Sequence, residues 1–389
     1  MGLALFSELS RNPRLFSRLS LVVVGDLALD RSFYCRPSVP GYHAVHGSET
    51  IYDVERDDHG ELGSAATPCF LAAGLGIRAH LFTLLGQDPE GRRAKEILGA
   101  GGIPFTALEL AGVQTVTRYR FYVREERRGI YDLKFRMDKE EADHGPVFAR
   151  AAREARTGSF LSSFAAEIAR ADAVYINDTA KGFLSRELLR ELSALLSAER
   201  ARRASAGRRT LLVVVDPKND WDKFIGLPVD VFKPNDREVF NALGRPWHEG
   251  ALVSPKGLRL LARDLVLRFG EAFPTMVVTL GRHGALLLEA KKENGLAQRF
   301  PALELFPMPP HAATHCGDMF GAALTLALAH GASLYAATSL AGIVAAIQYT
   351  LPVGRKVGRD DLLSRANLEA ARQKVAPPVF VGNGLLTNS

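Results

Sequence analysis

Short apolar strands alternate with helices along most of the chain, and this order constrains the fold more than any other feature. Strands of apolar, β-branched residues separated by helices favour a mostly parallel sheet that is covered by helices on both faces. The sequence therefore predicts an α/β fold. The predicted strands are 21–26, 79–86, 172–178, 210–216, 230–235, 275–281 and 285–289, and the predicted helices are 65–76, 90–102, 185–199, 256–270 and a long one that begins near residue 316.

Polar residues follow several of these strands. Asp26, Asp178, Asp216 and Asn235 each stand at the carboxyl end of a predicted strand. Ligands of open parallel sheets gather at the carboxyl ends of the strands. We therefore expect these four residues to lie along one edge of the sheet and to mark the site.

Two segments interrupt the alternation. Residues 34–60 carry prolines, histidines and alternating patches, and residues 115–138 alternate polar and apolar side chains around a turn near Arg128-Gly129, as a hairpin does. Both predict a small β-rich lid inserted into the α/β domain. Such a lid could exclude water from a reaction or form an oligomer contact, and the pattern leaves both roles open.

Composition excludes several classes of protein. An apolar fraction of 47% with 24% charged residues is normal for a globular chain with a sizeable core. Three widely spaced cysteines suggest neither a disulfide framework nor a zinc site, so we expect a reducing, cytoplasmic setting. The start of the chain predicts an amphipathic helix and not a secretory signal, and no stretch predicts a membrane span.

The formal charge of +6 raises the question of nucleic-acid binding. However, the stretch 198–210 holds five arginines and one glutamate and lies between a predicted helix and a strand. It contains no aromatic residue for base stacking. We interpret it as a solvated connection and expect no nucleic-acid partner.

A carboxylate stands at the start of the long late helix, in "THCGDMFGAAL" (314–324). Asp318 could cap the helix, because aspartate is favoured where backbone N–H groups lack partners. It could instead be a catalytic base beside an anion-binding helix terminus. Both roles are compatible with the local sequence.

Three weaker motifs lie elsewhere. In "KPNDREVF" (233–240), Asn235 and Glu238 fit a capping box, and they also fit an amide and a carboxylate that order Mg²⁺ and its waters near a polyphosphate. The Gly281–Gly284 turn of "VVTLGRHGALLL" (277–288) could be a plain hairpin or could approach a nucleotide. Lys181 could meet a phosphate or be solvated.

Taken in order along the chain, these motifs resemble the ribokinase-like (PfkB) carbohydrate kinase superfamily over roughly residues 15–360. The resemblance rests on "VVVGDLALDR" (22–31), "GSAATPCFLAAGLG" (63–76), "NDRE" (235–238) and "THCGDMFGAAL" (314–324). Within the superfamily the chain is most similar to kinases of D-glycero-D-manno-heptose 7-phosphate, through "INDTAKGFLS" (176–185), "VVVDPKNDWDKFIG" (213–226) and the basic hairpin. The resemblance implies a three-layer ribokinase-like kinase domain over residues 1–365 and a C-terminal tail over 366–389, without the nucleotidyltransferase domain of bifunctional relatives.

The resemblance also implies roles for individual residues. Asp318 would deprotonate the acceptor hydroxyl, and the backbone N–H groups around it would hold charge on the γ-phosphoryl group of ATP. The remaining assignments fall into three groups. Catalytic residues would be His315, Cys316, Gly317 and Asp318; nucleotide-binding residues Asn235, Asp236, Arg237, Glu238, Thr279, Gly281 and Gly284, with Glu238 serving Mg²⁺; and acceptor-binding residues Asp26, Asp30, Gly63, Ser64, Thr67 and Lys181.

The chain departs from the superfamily pattern at the anion site and on the acceptor side. His315 replaces a glycine, and it could crowd the anion site or donate to phosphate; Ser64 and Thr67 replace a glycine and an asparagine. The sequence thus predicts a kinase of a sugar or sugar phosphate, with ATP and Mg²⁺ as cofactors and a homodimer formed through the lid. Two alternatives stay open: a catalytically silent sugar- or nucleotide-binding relative, and a kinase with a nucleoside or small-alcohol acceptor.

Overall fold

The computed structural model describes residues 2–385 apart from 13, 38–50, 126–129, 142, 144, 294, 306–313 and 353–354. The described strands are β1 (Ser20–Gly25), β2 (Leu27–Pro37), β3 (Tyr52–Ser64), β4 (Arg78–Gly86), β5 (Phe105–Leu110), β6 (Thr117–Glu125), β7 (Ile130–Lys139), β8 (Ala173–Asn177), β9 (Leu212–Asp216), β10 (Val231–Phe232), β11 (Thr275–Thr279), β12 (Ala285–Glu289), β13 (Leu296–Phe300) and β14 (Val379–Gly382).

Helices lie between β3 and β4, β4 and β5, β7 and β8, β8 and β9, β10 and β11, and β13 and β14. The described helices are α1 (Gly2–Arg11), α2 (Ala66–Gly74), α3 (Pro89–Ala100), α4 (Gly145–Thr157), α5 (Phe160–Ile168), α6 (Arg186–Ser205), α7 (Asp236–Ala242), α8 (Gly250–Val253), α9 (Pro255–Phe269), α10 (Cys316–His330), α11 (Leu334–Thr350), α12 (Arg359–Leu363) and α13 (Arg365–Lys374).

Ten strands form the central sheet in the order β14-β13-β12-β11-β10-β9-β8-β1-β4-β5. The strands from β11 through β1 to β5 in this order run parallel to one another, whereas β12, β13 and β14 join antiparallel at the opposite edge. Side chains of one strand pack on opposite helical layers: Leu21 and Val23 belong to one core cluster, and Val22 and Val24 to the other. The predicted three-layer α/β/α fold is confirmed.

A second sheet of four strands, in the order β3-β2-β6-β7, forms the lid. Strand β2 runs antiparallel to β3 and parallel to β6, and β6 and β7 form the predicted hairpin. The lid starts earlier than the sequence predicts, because β2 begins at Leu27, directly after β1. Part of the predicted segment 34–60 and the turn near Arg128-Gly129 lie outside the described residues.

Two other segments differ from the predictions. The arginine-rich stretch 198–210 is only partly a solvated connection: residues 204–210 are exposed, but α6 continues to Ser205 and the buried Arg203 side chain bonds to Glu199 and to the carbonyls of Ile168 and Ala171. The segment 366–389, which the sequence assigned to a tail, contains most of α13, and β14 adds to the edge of the main sheet.

The described part of the chain holds no helix that is both long and apolar enough to cross a membrane.

Candidate active site

Asp318 lies in the first turn of α10, where the helix meets the carboxyl ends of the parallel strands. Its side chain is 23% exposed, so it is accessible but mostly enclosed. The residue before the helix is His315, and no side-chain cap is found there among the described residues. The carboxylate of Asp318 accepts a hydrogen bond from the side-chain amide of Asn177 at 3.3 Å. Asp318 is therefore directed at the strand ends and is not the helix cap.

The start of α10 leaves backbone donors beside this carboxylate. The first hydrogen bond of the helix runs from the N–H of Met319 to the carbonyl of His315, at 2.9 Å. The N–H groups of Cys316, Gly317 and Asp318 precede it, and such groups have no partner within their own helix. A side chain added at Gly317 would meet no described atom within 4 Å. This geometry suits an anion that approaches the helix terminus.

A group of largely buried polar residues, Tyr175, Asp216 and Lys233, lies beneath the first turns of α10, which carry Asp318. The hydroxyl of Tyr175 donates to Asp216 at 2.7 Å, and the ammonium of Lys233 lies 2.9 Å from the same carboxylate. Burial raises the pKa of Asp216 to about 7, and the negative charges of Glu238 and Asp318 add to that effect although Lys233 opposes it. Asp216 therefore connects the catalytic side of the site, at Asp318, with the nucleotide side, at Glu238, because the charges of both carboxylates raise its pKa.

The carboxylate of Asp26 fixes a loop on the acceptor side of the site. Asp26 was predicted to face the sugar, but it is buried and its carboxylate accepts hydrogen bonds from residues 179–183. The donors are the N–H and hydroxyl of Thr179, at 2.8 and 3.1 Å, and the N–H groups of Lys181 and Phe183, at 3.2 and 3.3 Å. These bonds use the lone pairs of both oxygens, so Asp26 holds the loop after β8 in place.

Lys181 sits on this loop, and its ammonium pairs with Glu140, which follows the last lid strand. The predicted lysine on the site edge is thus joined to the lid. The adjacent Asp178 pairs with Lys223 at 2.8 Å, and burial raises the pKa of Asp178 to about 6 although Lys223 opposes that shift.

The other predicted acceptor residues come together under the lid. Asp30, on β2, is fully buried and lies 2.8 Å from a guanidinium nitrogen of Arg120. Arg118, the residue two before Arg120 on β6, donates to the hydroxyl of Ser64 at 3.0 Å. A side chain at Gly63 would place its Cβ only 2.4 Å from the Asp30 carboxylate. The glycine at position 63 is therefore required by close packing.

The ring of His315 fills the space between these residues and Asp318. Its Nδ1 lies 3.4 Å from the hydroxyl of Thr67 and 3.8 Å from Asp318, and its Nε2 lies 3.2 Å from Glu61 of β3. The side chain is only 3% exposed. The ring therefore points toward the lid, away from the open side of Gly317 where a phosphate would arrive.

The predicted nucleotide residues lie at the ends of β10 and β11. Asn235 and Glu238 form a complete capping box at the start of α7, with hydrogen bonds of 2.8 and 2.9 Å. The free oxygen of Glu238 lies 3.0 Å from the ammonium of Lys218. Asn235 also bridges Thr279 across the strand ends. The capping interpretation is confirmed, and a metal could share Glu238 only by loosening the bond to Lys218.

Asp236 and Arg237 turn away from this group. The indole N–H of Trp247 donates to Asp236 at 2.8 Å, and the Arg237 guanidinium lies over the same indole at 4.8 Å. The turn after β11 contains Gly281 and Gly284, both with positive φ. At Gly284 a Cβ would lie 1.9 Å from the carbonyl of Phe300, so the close approach of this turn to β13 requires a glycine.

Four residues of the site were missed by sequence reasoning. Asn177, Glu61 and Lys218 each contact a predicted residue directly, and Lys356 contacts Glu61. Asn177 and Lys218 occur within stretches that carry the family resemblance, so the sequence could have indicated that they lie near the site. Glu61 and Lys356 gave no signal, because only the folded chain brings β3 and the segment after α11 next to His315.

Comparisons with known proteins agree with this architecture. The family model of the pfkB family carbohydrate kinases matches residues 19–352. The bifunctional protein HldE of Caulobacter sp. (strain K31) is 29% identical over 371 residues, which cover 93% of this chain and 66% of that protein. HldE of Halorhodospira halophila is 31% identical over 337 residues, covering 85% and 60%. The chain thus spans slightly less than two thirds of the length of these curated relatives.

Solved structures show the same fold at lower identity. Phosphofructokinase-2 from Escherichia coli, in complex with potassium, superposes with a TM-score of 0.62 at 16% identity and covers 91% of this chain and 99% of its own. A candidate ribokinase from Agrobacterium tumefaciens gives a TM-score of 0.59 at 19% identity and covers 91% of this chain and 98% of its own. The family match spans most of the chain and includes both Asp318 and the Asn235–Glu238 motif, and the chain belongs to the pfkB family of carbohydrate kinases.

Proposed function

We propose that this kinase transfers the γ-phosphoryl group of ATP to a hydroxyl of a sugar or sugar phosphate, with Asp318 as the base. The observation that carries the proposal is the partly exposed carboxylate of Asp318, held by Asn177 beside N–H groups of the α10 terminus that have no partner within their own helix. A base within reach of the hydroxyl and donors directed at the phosphoryl group are what such a transfer requires.

In this mechanism the chain mainly positions its substrates. Asp318 accepts the proton of the attacking hydroxyl, and the N–H groups of Cys316, Gly317 and Asp318 stabilise the charge that develops on the transferred group. Bound ATP supplies the phosphoryl group, and Mg²⁺ neutralises charge on its phosphates. Tyr175 and Asp216 support the start of α10, so that the carboxylate and the donors keep a fixed relation to each other.

The carboxylates near the nucleotide side could supply only part of the coordination of a Mg²⁺ ion. Asp178, Asp216 and Glu238 each face a lysine at 2.8–3.0 Å, so none offers a carboxylate without a cation beside it. Mg²⁺ keeps several waters and takes substrate phosphates as ligands. We infer that Glu238 would hold the hydrated ion, and that Lys218, whose side chain is 46% exposed, would pair with the phosphates of ATP.

The acceptor we favour is a phosphorylated sugar, with heptose 7-phosphate first because of the sequence resemblance. Arg118 and Arg120 lie on the site-facing side of the lid, whereas Arg124 and Lys134 of the same hairpin are exposed. Arg136 lies opposite Arg120 in the register of β6 and β7, so it adds a third guanidinium on this face. A bidentate guanidinium is well matched to a phosphate group.

The lid also supports a homodimer. The rings of Phe33, Phe121 and Phe135 stack on one face of the lid, with centroids 4.9 and 4.4 Å apart. Asp30 and Arg120 belong to the opposite face, because their positions alternate with those of the stacked rings. Phe135 and Met137 are among the exposed large apolar residues. We propose that a second copy of the chain covers this face.

The test is ATP consumption by the purified protein with a panel of heptose and hexose phosphates, nucleosides and small alcohols. We expect turnover with a sugar phosphate in the parent and none above background in Asp318→Asn. Equal turnover in both proteins would contradict the role of Asp318. Binding of ATP or sugar without turnover in any combination would favour the silent relative instead.

A further inference from the structure

His315 occupies a backbone conformation that few residues with a side chain adopt. Its φ of 62° and ψ of 2° lie in the left-handed region, where histidine is tolerated better than most residues but still at some cost. Glycine would remove that cost. The imidazole is therefore expected to contribute something that compensates for the strained backbone.

Both ring nitrogens face acidic or polar groups. Nε2 lies 3.2 Å from Glu61 on the lid strand β3, and Nδ1 lies 3.8 Å from Asp318 on α10 and 3.4 Å from Thr67 on α2. A neutral imidazole donates from one nitrogen only, whereas an imidazolium donates from both. A neutral ring can donate to Glu61 and accept from Thr67, but only the protonated ring also carries the positive charge that attracts the Asp318 carboxylate 3.8 Å away.

The charges around the ring are balanced for this arrangement. The second oxygen of Glu61 accepts from the ammonium of Lys356, after α11, at 2.6 Å. Asp30 on β2 lies 4.0 Å from Nε2 and is paired with Arg120 on β6, and Arg118 of the same strand lies 3.9 Å from Asp30. Burial lowers the pKa of His315, but the carboxylates of Asp318 and Glu61 outweigh burial, and the pKa lies above its ordinary 6.5.

A bound metal is a competing interpretation of the same residues. Asp30, Glu61 and His315 offer three ligand atoms within 4.8 Å of one another. However, Arg120 and Lys356 already neutralise the two carboxylates, so a divalent ion would meet two positive charges in a buried space. A proton on His315 adds one positive charge where a divalent ion would add two, so it meets less repulsion from these cations.

We propose that His315, as an imidazolium, is a positioning residue that fastens the lid strand β3 to the start of α10 and orients Asp318 for catalysis. The effect on turnover rests on the proposed function of Asp318, whereas the effect on the lid does not. The link is complete when the ring is protonated. It is lost as the pH rises through the raised pKa of His315, so lid order and kcat should both decline on the alkaline side.

The experiment compares the parent with His315→Gly, Glu61→Gln and the control His330→Gln, which changes an exposed histidine at the other end of α10. Hydrogen exchange of β3, corrected for the intrinsic effect of pH, reports the lid, and kcat and kcat/KM against pH report the site. We expect β3 to lose protection with rising pH in the parent and in His330→Gln. In His315→Gly and Glu61→Gln we expect low protection at every pH.

In the activity arm we expect His315→Gly to lower kcat about 10- to 100-fold near pH 6.5, because misplaced reacting groups slow transfer by such factors. The alkaline limb should disappear in this variant. Combining His315→Gly with Glu61→Gln should add little, because both remove the same link. If His315→Gly does not fold, His315→Asn takes its place, since asparagine also tolerates the left-handed backbone.

Several outcomes would overturn the proposal. They are full protection of β3 in His315→Gly, an unchanged alkaline limb, activity equal to the parent at every pH, or a stoichiometric metal on the purified parent that EDTA removes along with lid protection. Failure of the proposed function is distinguishable: Asp318→Asn would then turn over at the parental rate, while the exchange measurement would still report the link between His315 and the lid.

Discussion

Substitution of Gly321 tests whether the close packing of α10 on Tyr175 is what positions Asp318. It lies three residues after Asp318, on α10, and a Cβ added there would lie 2.1 Å from the hydroxyl oxygen of Tyr175 and 2.8 Å from its Cζ. Ordinary contacts need about 3.5 Å. Gly321→Ala must therefore move the tyrosine ring or the helix by more than about 1 Å, although the ring is fully buried.

The cost of Gly321→Ala can be estimated from its parts. Overpacking of a buried position costs about 1–3 kcal/mol. Displacing the Tyr175 hydroxyl from Asp216 costs about 1–3 kcal/mol more, because it leaves buried polar groups without partners. Alanine returns about 1 kcal/mol of helix propensity. We expect a net loss of about 1–5 kcal/mol in the free energy of unfolding, and a lower kcat because Asp318 moves with the helix.

The assay is equilibrium unfolding in urea, with Gly342→Ala as the matched control. Gly342 is also inside a helix, α11, but a Cβ there would meet no described atom within 4 Å. The control should therefore be neutral or more stable by up to about 1 kcal/mol. If Gly321→Ala were as stable as Gly342→Ala, with parental kcat, the packing of α10 on Tyr175 would not be what positions the carboxylate.

Three further predictions concern the site and the lid. Asn177→Leu removes the amide that donates to Asp318 and should lower kcat about 10- to 100-fold with little change in KM for ATP; an unchanged kcat in steady-state kinetics would contradict this role. Glu238→Gln can still form a capping box, so it should leave the free energy of unfolding nearly unchanged and raise the Mg²⁺ concentration needed for half-maximal activity; an unaltered Mg²⁺ titration would argue against Glu238 as the metal residue. Met137→Glu places a charge on the exposed apolar face of the lid and should yield monomers in analytical ultracentrifugation, and persistence of a dimer would place the interface elsewhere.

The sequence predicted the layered fold because strand and helix periodicity is local. Each buried strand reads as a short apolar run, and the residues after β1, β8, β9 and β10 lie on one edge simply because parallel strands share a direction. These features need no knowledge of which segments pack together.

The details that failed depend on contacts between distant segments. Asp26 was predicted to face the sugar, yet its carboxylate is used by residues 179–183, which lie about 150 positions away in the chain. The ring of His315 points to Glu61 because of a left-handed backbone that the sequence does not encode visibly. The strand β14 joins the sheet edge through pairing with β13, which a short apolar run near the end of the chain did not reveal.

The most direct test of the account is the single-turnover rate of phosphoryl transfer in Asp318→Asn, with enzyme in excess over acceptor. Asparagine keeps the shape of the side chain and cannot accept the proton. General-base catalysis contributes about 10²- to 10⁴-fold, so we expect the rate to fall by that factor while ATP affinity and the free energy of unfolding stay near parental values. A rate within about tenfold of the parent would contradict Asp318 as the base, because that falls below the contribution of a general base.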